Sequence, residues 1–411
     1  MAGNGILIIG GGAAGLTAAI MAARQGADVT VLERMDRVGK KILATGNGRC
    51  NLTNVNCDPS KYHGMDAGFT GIPLQIFGAE KTVGFFEELG ISCRTEDGGK
   101  VYPYSNQASA VLDVLRYELK RLGVKVRCTA EVGGIFPVAG GFSVMLKTGE
   151  KVAGHKIILA AGGKASPQLG SNGSGFRLAQ ELGHSVIKAF PALVQLRLDA
   201  PFLKGLDGIK FDGKAAIFDR EKILREEEGE ILLTDYGISG PPILQLSRVA
   251  SERLSDKESV WLKLDVFPGF TRKDLADILD KKIRLDPDKT VEFSLIGLLN
   301  KRLIPVVLKE AGIERRKSCR EVTFAETANL MKILKGWRLT ISGTQSWAQA
   351  QVTAGGVSVK EIDPVTLESK LIAGLYFAGE IIDVDGDCGG YNLQWAWSTG
   401  YIAGISAAEA G

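Results

Sequence analysis

The sequence predicts an α/β fold: a Rossmann-type domain assembled from several segments of the chain and interrupted by an inserted domain that is part β and part helical. Three observations predict it. Residues 6–33 read as strand, glycine turn, helix and strand. A second glycine-rich unit of strand, loop and helix lies at 374–404, and between about 190 and 350 the pattern changes to alternating strands followed by amphipathic helices.

In ILIIGGGAAGLTAAIMAARQGADVTVLE an apolar run, Ile6–Ile9, stops at three glycines; a small-residue helix from Ala13 to Gln25 follows, and a second apolar run, Val29–Leu32, closes on Glu33. Gly10, Gly12 and Gly15 form the G-x-G-x-x-G pattern. Gly10 allows the tight turn off the strand, Gly12 lets the backbone touch a pyrophosphate, and Gly15 lets helix and sheet approach closely. The helix start at Ala13 and Ala14 offers free N–H groups and a positive dipole end to a diphosphate. Glu33, with Arg34 beside it, sits where a carboxylate accepts hydrogen bonds from adenosine ribose hydroxyls. Alone, the glycine pattern would fit any glycine-rich turn; strand, helix, second strand and acid in register select a dinucleotide.

The chain has 411 residues, 45% of them apolar, which suits two or three domains with substantial cores. Fifty basic against 47 acidic residues leave a net charge of +3, so no global field advertises nucleic acid or an anionic membrane as partner. No basic segment precedes the first apolar run, and no stretch reaches the roughly 18 apolar residues of a spanning helix. The six cysteines (Cys50, Cys57, Cys93, Cys128, Cys319, Cys388) form no C-x-x-C pair, which speaks against a disulfide scaffold and for a reducing, cytoplasmic setting. His63, His155 and His184 have no ligand spacing, and no metal site is predicted.

After Glu33 comes RVGKKILATGNGRCNLTN, residues 37–54, which has no sustained period and reads as a loop pressed against something. Its Lys40, Lys41, Thr45, Gly46, Asn47, Arg49 and Asn51 suit diphosphate, ribityl or ring-edge contacts; a solvated connection is the bland alternative. Residues 78–89 and 107–122 read as helices, with a hairpin around Asp97-Gly98-Gly99 between them. Residues 124–159 give short strands broken by glycines, a β-meander ending in KIILAAGG, and the Ala161-Gly162 turn returns the chain to the nucleotide domain. In the insert, residues 194–198, 214–218 and 260–266 alternate as half-buried strands should. Residues 271–283 and 291–311 follow helical patterns, the first opening with Thr271 and Asp274 at capping-box positions. LREEEGE (224–230) reads as a solvated hairpin tip, and Arg315-Arg316-Lys317 as a solvated helix end rather than a nucleic-acid contact. The nucleotide domain is thus assigned to 1–190 and 351–411, and the insert to 191–350, with helices at about 267–320.

The C-terminal strand at 375–378 ends on Gly379-Glu380, and a helix-length run starts just after Gly389-Gly390. This unit and the TGNGRCN loop select FAD over NAD, since an NAD dehydrogenase needs neither. Glu380 is placed to bind ribityl hydroxyls, and the N–H groups around Gly390, Tyr391, Asn392 and Leu393 to face the flavin N1–C2=O edge. A positive helix end there stabilises an anionic reduced flavin by ~0.3–1 kcal/mol, and up to ~2 kcal/mol in a dry site. Binding is expected to be tight and non-covalent.

The segments GGGAAGLTAA, GKKILATGNGRCNLTN, LAAGGKASPQLGSNGSGF, LTDYGISGPPILQLS, VTAGGV and FAGEIIDVDGDCGGYNLQWAWSTG resemble the BaiN/YhiN-like bacterial NAD(P)/FAD-dependent oxidoreductases, over nearly the whole chain. The resemblance implies a glutathione-reductase-type FAD domain of three-layer architecture, with an insert made of a small β-barrel (about 191–266 and 321–350) plus a helical piece. By likeness to that flavoprotein type, the backbone near Val132 flanks the adenine. The implied activity is a reductase: NAD(P)H gives hydride to flavin N5, and the reduced flavin passes it to an electron-poor C=C bond of an apolar, enone or steroid-like small molecule. One G-x-G-x-x-G leaves the nicotinamide no Rossmann site of its own, so it would use the substrate cleft in alternation. Two other readings stay open: a flavin oxidase of an amine or alcohol using oxygen, and a flavoprotein that binds RNA or a protein, against which the near-neutral charge counts. No catalytic residue is assigned; Tyr391 and Asp387 are equally suited to donate a proton or to frame the loop. Cys50 and Cys388 are packing residues or, as the rarer alternative, a redox pair.

Overall fold

All four residues of Ile6–Ile9 are apolar, and all four are buried, as a strand covered on both faces requires. In the computed structural model, which describes residues 5–409, this strand lies at the centre of a five-stranded parallel sheet. The order is Leu375–Phe377, Lys156–Leu159, Ile6–Ile9, Val29–Leu32 and Lys125–Arg127. Every neighbouring pair is parallel, with Ile6 opposite both Lys156 and Val29. The chain divides into two compact units, Met1–Pro191 with Ala350–Gly411, and Ala192–Gln349.

In the first unit the first helix, Ala13–Arg24, and the last, Tyr391–Glu409, pack tightly together. Small residues make this possible. A Cβ on Gly400 would lie 2.4 Å from the Ala14 carbonyl oxygen, and one on Gly404 would lie 2.5 Å from that of Ala18. The meander consists of Val132–Val138, Gly141–Leu146 and Lys151–Gly154. Lys125–Arg127, expected to begin it, instead joins the parallel sheet beside Val29–Leu32. The expected hairpin forms from Cys93–Thr95 and Lys100–Pro103, with Thr53–Asn54 as its third strand.

The second unit is built on a closed antiparallel barrel, ordered Leu196–Leu198, Gly237–Ser239, Lys222–Thr234, Lys210–Asp219, Trp261–Asp265 and Trp337–Thr344. Its inward residues, among them Ile217, Ile231, Leu233, Leu262 and Leu264, form a core separate from that of the first unit. LREEEGE is part of the long strand Lys222–Thr234 and not a hairpin tip. Its charges alternate outward and meet lysines across the ladder: Lys214 with Glu226 at 2.7 Å and Lys210 with Glu230 at 2.9 Å. The helix Arg272–Arg284 opens with the expected Thr271–Asp274 capping box. The continuous helix expected over 291–311 is broken into Val291–Ser294 and Ile304–Glu310, because Gly297 takes a left-handed φ of 81°. Among the described residues no helix is long and apolar enough to cross a membrane.

Candidate functional site

All the predicted cofactor residues belong to the first unit. At the first helix the three fingerprint glycines answer to different neighbours. A Cβ on Gly10 would lie 2.4 Å from the Ala160 carbonyl oxygen, and one on Gly15 only 1.9 Å from that of Gly10, so the fold itself demands both. A Cβ on Gly12 would meet nothing within 4 Å. Its place at the N-cap, without a side-chain cap, leaves the N–H groups of Ala13, Ala14 and Gly15 with no intrahelical acceptor. That is the cradle a diphosphate fits.

Glu33 is buried, and its carboxylate accepts from the N–H of Gly11 and of Met35, both at 2.7 Å. Each oxygen retains a lone pair for a hydroxyl donor. Arg34 donates from Nη1 to the Gly170 carbonyl at 3.0 Å, while its buried Nε has no hydrogen-bond partner among the described residues. Val132 is buried at the head of the meander, two residues beyond Ala130, whose N–H donates to the Glu33 carbonyl.

The middle of the site joins residues far apart in sequence. Lys41 Nζ lies 2.7 Å from Glu380 Oε2, and the other oxygen of Glu380 accepts the Thr353 N–H at 2.7 Å. Gly162 sits beside them: its Cβ would lie 3.9 Å from Glu380 Oε2, and Ala161 follows the strand that abuts Gly10. Gly379 donates its N–H to Thr399 Oγ1 of the last helix at 2.8 Å. Lys40 pairs with Asp36. The loop expected over 37–54 contains a short helix, Lys40–Ala44, which turns Lys40 and Lys41 to different partners. Thr45 caps the end of that helix by donating to the Ile42 carbonyl at 2.6 Å, and Gly46 and Asn47 both take left-handed backbone.

At the other end the last helix starts at Tyr391 after Gly390, whose carbonyl accepts the Gln394 N–H at 3.0 Å. The N–H groups of Tyr391, Asn392 and Leu393 therefore have no acceptor within the helix. Asn51 is buried next to this start, and its Oδ1 has no hydrogen-bond partner among the described residues. A buried acceptor of this kind fits a ligand that brings an N–H or O–H group. Asn392 staples the preceding loop to the helix: it accepts the Gly386 N–H at 2.8 Å and donates to the Gly386 carbonyl at 2.7 Å. Tyr62 donates to the Tyr391 carbonyl at 3.0 Å.

Arg49, in the same loop as Asn51, is held by protein partners. Its guanidinium pairs with Glu96, donates to Asn106 at 2.9 Å and lies over the Tyr102 ring at 3.9 Å, inside the neighbouring three-stranded sheet. Cys50 is fully buried, and desolvation pushes its thiol up to about 12; burial raises Cys388 as well. Burial of this kind disfavours the thiolate that redox chemistry draws on. Among the contacts that sequence reasoning missed is His63 Nε2 to Asp387 Oδ1 at 2.9 Å, beside the pairing of Tyr62–His63 with Asp385–Gly386. Two-residue strands leave no periodic signal from which it could be found.

Residues 4–406 match the HI0933-like protein Rossmann domain. The chain is 43% identical over 409 residues, 99% of each chain, to the 3-dehydro-bile acid delta(4,6)-reductase of Clostridium scindens. It is 30% identical to the ribosomal RNA dihydrouridine synthases of Haemophilus influenzae, over 97% of each chain, and of Escherichia coli, over 96%. With the glycine cradle, the Lys41–Glu380 junction and the last-helix start in place along one unit, the protein belongs to the HI0933-like (BaiN/YhiN) family of Rossmann-fold flavoprotein oxidoreductases.

Proposed function

We propose that the protein reduces a C=C bond conjugated to a carbonyl in an apolar, steroid-like small molecule, with FAD as the bound cofactor and NAD(P)H as the transient electron donor. The observation that carries this reading is the 43% identity, end to end, with a bile acid reductase. In the proposed placement, the N–H groups of Ala13, Ala14 and Gly15 hold the diphosphate and Glu33 the adenosine ribose. Glu380, fixed by Lys41 and Thr353, takes the ribityl hydroxyls. The N–H groups at the start of the last helix and the amide of Asn51 face the polar edge of the ring. Bound there, FAD supplies hydride through N5. The protein's share is placement and charge: the positive helix end favours an anionic ring edge, and the buried surroundings strengthen it.

A second reading comes from the ribosomal RNA dihydrouridine synthases, since saturating a uracil ring is also addition of hydrogen to a C=C bond conjugated to a carbonyl. The near-neutral net charge of +3 supports the small molecule, since affinity for a nucleic-acid backbone comes mainly from basic side chains set against phosphates. In the insert, Arg315 pairs with Glu292 at 2.7 Å, Lys317 with Glu326 at 2.8 Å and Arg320 with Asp288.

The test is anaerobic. Holoprotein is bleached with NADH or NADPH and mixed with a 3-dehydro-bile acid bearing the conjugated bond; colour is expected to return, with a product heavier by two hydrogens. Return of colour only with oxygen, or dihydrouridine formation in ribosomal RNA without steroid turnover, would overturn the proposal.

A further inference from the structure

We infer that His63, held by Asp387, delivers the proton that completes this reduction. The inference rests on the proposed reading of the ring end, and gives a role to a pair which that reading leaves unused. The two residues come from segments more than 300 positions apart, joined by the antiparallel pairing that sets His63 opposite Asp385 and Tyr62 opposite Gly386. Asp387 directly follows the strand Asp385–Gly386, and its N–H bond to the Lys61 carbonyl at 2.9 Å holds it beside the paired segment. There Nε2 of His63 lies 2.9 Å from Asp387 Oδ1.

The pair is asymmetric in a useful way. The Asp387 side chain is 9% exposed and that of His63 26%, so the carboxylate stands behind and the imidazole keeps an accessible edge. Asp387 is fixed: its N–H donates to the Lys61 carbonyl at 2.9 Å, and Asn392 Nδ2 donates to its carbonyl at 3.3 Å. The anchoring residue, Asn392, is in the first turn of the last helix, whose start is the proposed ring site. With Nε2 committed to the carboxylate, Nδ1 is the delivering atom.

The other acids nearby are less suited. Tyr62 commits its proton to the Tyr391 carbonyl at 3.0 Å. Tyr391 is buried, and desolvation pushes its phenol above the ordinary range. Asp383 accepts the Met65 N–H at 2.9 Å. Of the other histidines, His155 is bonded to the Gly140 carbonyl in the meander turn, and His184 is buried between Glu361 and Ser369.

Saturation of the enone adds one hydride and one proton. Hydride, supplied by NAD(P)H through the flavin, forms the C–H bond at the β-carbon, and the π electrons move onto the carbonyl oxygen as an enolate. The enolate then collapses, breaking an N–H bond of the His63 ring and forming a C–H bond at the α-carbon. His63 regains a proton from water, and the nicotinamide is the species oxidised.

The alternative is a plain clip between two short strands. His63→Ala, His63→Gln and Asp387→Asn are to be prepared as holoproteins and followed by anaerobic stopped-flow absorbance, with a 3-dehydro-bile acid as acceptor. Flavin content and bleaching by NAD(P)H should stay within about twofold of wild type. Reoxidation by the steroid should slow about 10²-fold or more in both His63 variants, in line with general acid catalysis. It should slow less in Asp387→Asn, and added imidazole should restore part of the rate in His63→Ala. Wild-type reoxidation rates in both His63 variants would overturn the inference alone. So would an equal slowing of both half-reactions in His63→Gln, which keeps a polar side chain of similar reach. Failure of wild type to be reoxidised by the steroid would instead remove the proposed function.

Discussion

Gly12 and Gly15 stand three residues apart in one motif and are required for different reasons. A Cβ at 15 would collide with the Gly10 carbonyl oxygen at 1.9 Å, whereas a Cβ at 12 meets no protein atom within 4 Å. Gly15→Ala is therefore expected to destabilise the apoprotein by about 1–3 kcal/mol through overpacking. Gly12→Ala should leave apoprotein stability within ~0.5 kcal/mol and yet lower flavin content. Urea melts of the apoproteins and the absorbance of the purified holoproteins read the two effects. Cys50 makes a second test. Its thiol is pushed up to about 12 by burial, while an unfolded thiol ionises near ~8.5. Between those values the folded chain keeps a proton that the unfolded chain has lost, so the stabilisation is complete below the lower value and lost as pH rises toward the upper. Alkylation at pH 8, read by mass spectrometry, should spare Cys50 in the native protein and modify it in urea. At this scale the sequence was informative where backbone geometry forces a residue type, as at Gly10 and Gly15. It could not tell that Arg49 stacks on Tyr102 or that His63 meets Asp387, because such contacts depend on pairings hundreds of residues apart.

Among the elements, the short helix Lys40–Ala44 has its consequence through Lys41, which reaches Glu380 at 2.7 Å. Both side chains are partly exposed, at 25% and 21%, so the ion pair adds no more than ~1 kcal/mol to folding. Lys41→Met should cost the apoprotein that little but weaken flavin binding about tenfold, near 1.4 kcal/mol, by freeing Glu380 from its place. Equilibrium titration of the apoprotein with FAD checks it. Elements with strong period were legible, as in Arg272–Arg284 with its capping box. LREEEGE was not, because a run of like charges reads as solvent exposed whether it is a turn or the outer face of a barrel strand; only the facing Lys210 and Lys214 decide. The break at Gly297 was missed because the apolar spacing of 291–311 continues across it.

For the whole molecule, the two units have separate apolar cores, and every proposed flavin contact lies in the first. FAD at about 100 times its Kd should stabilise that unit by ~2.7 kcal/mol. Calorimetry of apo and holo protein should show the melting of the flavin-binding unit shifted upward by FAD. The composite α/β architecture was legible because both glycine-rich units advertise themselves; the barrel was expected from the family resemblance, whereas periodicity alone does not give its closure, which depends on Leu196–Leu198 pairing with strands on either side of it. The sheet and its helices carry a further consequence for folding. The first helix packs against the last, and Lys41 meets Glu380 across 339 residues of sequence. The barrel, by contrast, draws all its strands from the one stretch that separates the two parts of the nucleotide domain. Contacts of such separation carry a large loop-closure entropy before they are rewarded, so the nucleotide domain is expected to complete its core more slowly than the barrel.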